Sequence, residues 1–115
     1  MTQKQQRPPV VWIVQNDIRK DFTPAEAYGT LAEIFYGTSD VAEPDKLVEH
    51  ARRLMRNWEP GDYLLMVGDP SLCALCLAIA LEFDPTGRVT LLRWDRIKRA
   101  YSVLPLDFNA SSAPL

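Results

Sequence analysis

Residues 10–14 read Val-Val-Trp-Ile-Val, four β-branched residues around one tryptophan, with Pro8 and Pro9 directly before them. Such a strand has no polar face to offer water, so it must be covered on both sides. Residues 63–67, Tyr-Leu-Leu-Met-Val, repeat the pattern. Strands of this kind belong inside a largely parallel sheet, and a parallel sheet needs crossover segments between its strands.

The intervening residues supply them. Pro44 opens an amphipathic helix with Leu47, Val48, Ala51, Leu54, Met55 and Trp58 on one stripe. Lys46, Glu49, Arg52, Arg53, Arg56 and Asn57 lie on the opposite face, and Glu59-Pro-Gly-Asp62 ends the helix. After residue 67, Gly68-Asp-Pro-Ser71 starts a second helix, with Asp69 as its cap and Pro70 at its first position. Residues 71–83 have no polar stripe, so this helix is buried between layers or covered by a partner, which includes a second copy of the chain. Asp84-Pro-Thr-Gly87 turns the chain.

Other segments are shorter. Residues 31–36 read as a strand near a sheet edge, and Thr23-Pro-Ala-Glu26 as the start of a helix of little more than one turn. Residues 89–94 and 100–104 form two strands around a polar turn, a C-terminal hairpin. Pro105 cannot donate to a ladder, so the last strand belongs at an edge. The expected fold is a single small α/β domain over residues 9–108. It has a mixed, mostly parallel sheet of about five strands and two main helices. Residues 1–8 and 109–115 are expected to be flexible termini.

With 115 residues and 47% hydrophobic content, a core forms without disulfides or metal. The N-terminus has no apolar stretch resembling a secretory signal, and the longest apolar run, ten residues from Leu72 to Leu81, is half a membrane span. The expected location is cytoplasmic, where Cys73 and Cys76 stay reduced.

The chemistry-bearing residues are sparse. One histidine, His50, excludes a His-rich metal site and reads as a residue at the boundary of the helix's apolar stripe. Cys73-Ala-Leu-Cys76 has redox spacing, but alanine and leucine fill the neighbouring positions, which points to core packing. Gly68-Asp-Pro-Ser71 lacks both common phosphate-loop patterns, so no cofactor is expected. Asp17, Asp69 and Asp95 each follow a strand. On parallel strands they share one edge, where converging carboxylates could hold a divalent cation for phosphoester chemistry; the alternative is that they cap a helix and solvate turns.

Charge is more telling. Residues 88–101 carry five basic residues against Asp95 alone, a net of +4. Residues 21–87 carry four basic and twelve acidic residues, a net of −8. The whole chain is at −2, which hides this separation. Arg93, Arg96, Lys98 and Arg99, flanked by Trp94 and Tyr101, put aromatic surface beside positive charge. That combination suits an acidic protein surface or nucleic acid.

Three stretches together, Ala25-Glu-Ala-Tyr-Gly-Thr-Leu31, Gly61-Asp-Tyr-Leu-Leu-Met-Val-Gly-Asp-Pro70 and Gly87-Arg-Val-Thr-Leu-Leu-Arg-Trp-Asp95, resemble small proteins encoded by tailed bacteriophages and prophages. The resemblance spans roughly residues 10–108 and supplies no catalytic residue set for these positions. It implies a small protein acting in an infected bacterial cytoplasm. The leading expectation is a non-enzymatic accessory or regulatory module. It binds a host or phage macromolecule, protein or nucleic acid, through Arg93, Trp94, Arg96, Lys98, Arg99 and Tyr101. The alternatives are a metal-dependent phosphoesterase or nucleotide-processing domain using Asp17, Asp69 and Asp95, and a structural subunit that self-associates through helix 71–83.

Overall fold

A computed structural model describes residues 7–17, 19–37 and 43–109. The chain runs through strand β1 (Val10–Asn16), strand β2 (Thr30–Tyr36), helix α1 (Leu47–Met55), strand β3 (Tyr63–Leu65), helix α2 (Pro70–Phe83) and strands β4 (Arg88–Asp95) and β5 (Ala100–Asp107). The sheet order is β2-β1-β3-β4-β5. The first four strands are parallel, and β5 returns antiparallel to β4. This is the mixed, mostly parallel sheet with a terminal hairpin that the apolar runs predict. β2 and β5 are its edges, and Pro105 sits in an edge strand as its missing N–H requires.

β1 is covered on both sides. Trp12 and Val14 join Met55, Leu64, Leu72 and Ile79 in the larger core, under α1 and α2. Val11 and Ile13 join Leu65, Leu92, Phe22 and Ala25 in a smaller core on the opposite face. That second layer is thin. Its cover is the connection between β1 and β2, which makes a 3-10 helix over Thr23–Ala27 where the sequence predicts a short α-helix. Thr23 does not cap it; its N–H and hydroxyl both donate to Asp21. The hairpin end of this face stays partly open, with Trp94 and Val103 about half exposed.

Several boundaries differ from the sequence reading. β3 has three residues because Gly68, at φ +98°, turns the chain away, although the Met66 N–H still bonds the Leu92 carbonyl at 2.9 Å. α1 spans nine residues, preceded by a 3-10 turn at Pro44–Lys46 and followed by a tight turn in which the Trp58 N–H reaches the Met55 carbonyl. Trp58 is buried beside Trp12 with ring centroids 6.5 Å apart, and its indole N–H donates to Asp84 at 2.9 Å. α2 begins at Pro70 with Asp69 as its cap, as the sequence predicts. Its outward strip is Ser71, Ala74, Ala78 and Glu82, so no large apolar residue of this helix is fully exposed. Arg52 on α1 spans to Glu82 with two N–H donors at 2.9 and 2.6 Å, linking the helices.

At the opposite end of the sheet, Asp62 is buried and gathers distant segments. Its carboxylate accepts from both terminal nitrogens of Arg7, the Val10 N–H, the Trp12 indole and the Glu59 N–H, all within 3.0 Å. Arg7 therefore does not belong to a loose terminus. Asn109 is likewise tied back, its side-chain amide donating to the Thr86 carbonyl. The remainder of the termini expected to be flexible lies outside the described residues. No helix among the described residues is long and apolar enough to cross a membrane.

Candidate functional site

β1, β3 and β4 end on one edge, where open parallel sheets commonly bind ligands. The strand order changes direction between β1 and β3, so their following loops leave towards opposite faces. In this chain that crevice is filled by Gln15. Its side-chain amide donates to the Gly37 carbonyl at 2.8 Å, and its carbonyl accepts the Asp69 N–H at 2.8 Å. Gly68 lies against it so closely that a Cβ there would fall 2.3 Å from the Gln15 Oε1. The cavity left beside Gln15 is about 130 Å³, below the roughly 300 Å³ at which small-molecule sites begin.

Asp17, Asp69 and Asp95 do share this edge, but each is spent on its own turn. Asp17 accepts the Arg19 backbone N–H at 2.8 Å and faces the Arg19 guanidinium, which holds its carboxyl below the ordinary range. Asp69 caps α2 by accepting the Ser71 N–H at 2.8 Å. Asp95 accepts the N–H groups of Ile97 and Lys98, and the Lys98 bond lowers its pKa. Among the described residues no group of three or more His, Cys, Asp or Glu could hold a metal ion. The carboxylate triad imagined for phosphoester chemistry is therefore not assembled.

The cysteine pair is also ill suited to nucleophilic work. Cys73 and Cys76 are free. The Cys73 thiol donates weakly to the Val67 carbonyl, and burial, then the Asp69 charge, raises its pKa despite that bond. Cys76 is fully buried, and burial pushes its thiol up to about 12. A reactive cysteine needs a lowered pKa, and both are shifted the other way. His50 stacks on Phe35 at 4.7 Å and donates from Nε2 to the Ile34 carbonyl, the boundary role its position on α1 suggests.

The basic hairpin forms a different kind of surface. Between β4 and β5, Asp95 holds the turn through its side chain, and its carbonyl accepts the Arg99 N–H at 2.8 Å. Arg99 sits at φ +55°, a conformation glycine and asparagine adopt far more readily than arginine. Ile97, at the tip among Arg96, Lys98 and Arg99, is 94% exposed. Trp94 and Tyr101 face each other across the two strands and pack edge to face with centroids 5.0 Å apart. The Trp94 side remains 46% exposed.

Behind the tip lies a cleft of about 460 Å³ between the hairpin and residues 20–24. Phe22, Trp94 and Tyr101 give it aromatic surface, Lys20 and Arg96 line it with positive charge, and Arg93 borders it from the strand position beside Trp94. Four residues expected from sequence, Arg93, Trp94, Arg96 and Tyr101, thus share one cavity, while Lys98 and Arg99 belong to the tip outside it. Lys20 and Phe22 were not anticipated. The basic pair Arg19-Lys20 beside an aromatic was the available signal, but more than sixty residues separate it from the hairpin.

No curated protein and no solved structure matches the chain significantly. The family model of the phage Pam3 gp32-like protein matches residues 9–108, the span covering the sheet, both helices and the cleft. By that match the chain belongs to the phage Pam3 gp32-like protein family.

Proposed function

We propose that this phage protein is a non-enzymatic accessory module that contacts an acidic macromolecular partner of the infected cell through the β4–β5 hairpin. The observation that carries this reading is the make-up of the tip. An almost fully exposed isoleucine stands among Arg96, Lys98 and Arg99, and Arg99 keeps a backbone conformation that favours glycine. A solubility device needs neither the apolar residue nor the strain, whereas retained strain is common where a side chain is used. Elsewhere Asp17, Asp62, Asp69, Asp84 and Asp95 are committed to turns and clamps, and the thiols are shielded. The enzymatic alternative has no assembled group of residues behind it among those described.

The test is capture from infected-cell lysate by the wild type and by the Arg96→Glu/Arg99→Glu variant, with and without nuclease. The reading expects a partner whose recovery falls with added salt and is lost with the reversed charges. Equal recovery by the two proteins would remove the hairpin from the contact surface.

A further inference from the structure

The cleft behind the tip combines two recognition chemistries in one space. Its volume, about 460 Å³, falls within the range of small-ligand sites. Trp94 meets Tyr101 edge to face, so Tyr101 braces the indole while leaving much of it exposed. Lys20 enters from the connection after β1 and Arg96 from the hairpin turn, so positive charge comes from both walls. The one acid among the described lining residues is Asp21, and its Oδ1 already accepts the Thr23 N–H and hydroxyl at 2.9 and 2.6 Å.

We propose that this cleft takes one nucleoside phosphate unit, with the base stacked on Trp94 and the phosphate held by Lys20 and Arg96. Aromatic faces accept any base, and guanidinium groups match phosphate oxygens in paired geometry. An acidic peptide would use the cations but has no need of a braced, exposed indole. The unit can be a free nucleotide or one residue of a single strand, since both present the same base and phosphate. The inference deepens the hairpin reading, because β4 and β5 form one wall of the cleft.

Adenosine monophosphate, adenosine, ribose phosphate and an oligothymidylate are titrated into the full chain, with the Trp94 indole resonance followed by NMR. Adenosine monophosphate is expected to shift that resonance. Adenosine and ribose phosphate, each lacking one half of the unit, bind roughly tenfold or more weakly. Trp94→Ala, titrated by calorimetry because it lacks the reporter, and Lys20→Glu, both at exposed positions, weaken the nucleotide by a similar factor with unchanged circular dichroism. Arg56→Glu, exposed after α1 and outside the cleft, leaves it unaffected. Tighter binding of the oligothymidylate, with strong salt dependence, identifies a strand residue as the occupant; equal binding identifies a free nucleotide. Adenosine binding as well as its monophosphate, or no shift at Trp94 with either the nucleotide or the oligomer, would overturn the inference. If that happened while charge reversal at the tip still abolished capture of a protein, the hairpin reading would stand without it.

Discussion

Arg7 closes on Asp62 with two N–H donors at 2.9 and 2.8 Å, although 55 residues separate them in the chain. The carboxylate is buried and also accepts from Val10, Trp12 and Glu59, so it joins the lead-in to β1, β1 itself and the turn before β3. Removing the acceptor differs from removing one donor. Asp62→Ala strands several buried N–H groups together with Arg7, and should cost about 3–5 kcal/mol. Arg7→Ala leaves Asp62 with the neutral donors of Val10, Trp12 and Glu59, and should cost less, about 1.5–3 kcal/mol. Urea unfolding of the two variants checks the order, and a larger loss for Arg7→Ala would refute the carboxylate-centred account.

The same cluster makes stability depend on acid. Burial pushes the Asp62 carboxyl up, but donation from Arg7, Trp12, Glu59 and Val10 outweighs it, and the pKa falls below its ordinary 3.8. A folded-state pKa below the unfolded one means that protonation favours unfolding. The contribution is therefore complete above pH 3.8 and is lost as pH falls through the folded value. Unfolding free energies measured from neutral pH down through this window should decline more steeply for the wild type than for Asp62→Asn, which has no carboxyl to titrate. Parallel curves would mean that the acid sensitivity arises elsewhere.

What the sequence conveyed and what it hid divide along contact range. β1 and α2 were legible because their apolar runs and the Asp69-Pro70 start are local signals. The edge position of β5 followed from Pro105 alone. Asp17, Asp69 and Asp95 were correctly placed on one edge. Yet each carries a partner two residues on, at Arg19, Ser71 and Ile97, and that short spacing marks a turn rather than a metal site. Asp62 looked like turn punctuation after α1, since its partners at residues 7, 10 and 12 lie across the fold. The cleft was half legible for the same reason. The hairpin wall is contiguous in sequence, but Lys20 and Phe22 meet it only because the chain after β1 crosses the thin face of the sheet.

The shielded thiols predict a labelling pattern. With Cys76 fully buried and its thiol pushed up to about 12, almost no thiolate exists at neutral pH. A thiol reagent should modify Cys76 only when the protein unfolds and Cys73, half-buried and raised in pKa, slowly in the native state. Rapid labelling of Cys76 in native buffer, or a native disulfide between the two, would contradict the core-packing role. Cys76→Ser should cost about 1–3 kcal/mol, because a hydroxyl buried at that position is harder to satisfy than a thiol.

Arg99 offers a way to separate stability from binding. At φ +55° its Cβ crowds the following carbonyl, a strain that glycine lacks, and glycine gives back part of the gain through the freedom it adds to the unfolded chain. Arg99→Gly should therefore stabilise the protein by about 0.5 kcal/mol, read from the midpoint of thermal or urea unfolding. The same substitution removes one of the positive charges at the hairpin tip, and recovery of the partner in capture should fall. A residue kept only for solubility would show the stability gain with no loss in capture. A residue kept for contact shows both, and the sign of the second measurement therefore tells which force holds an arginine in a turn built for glycine.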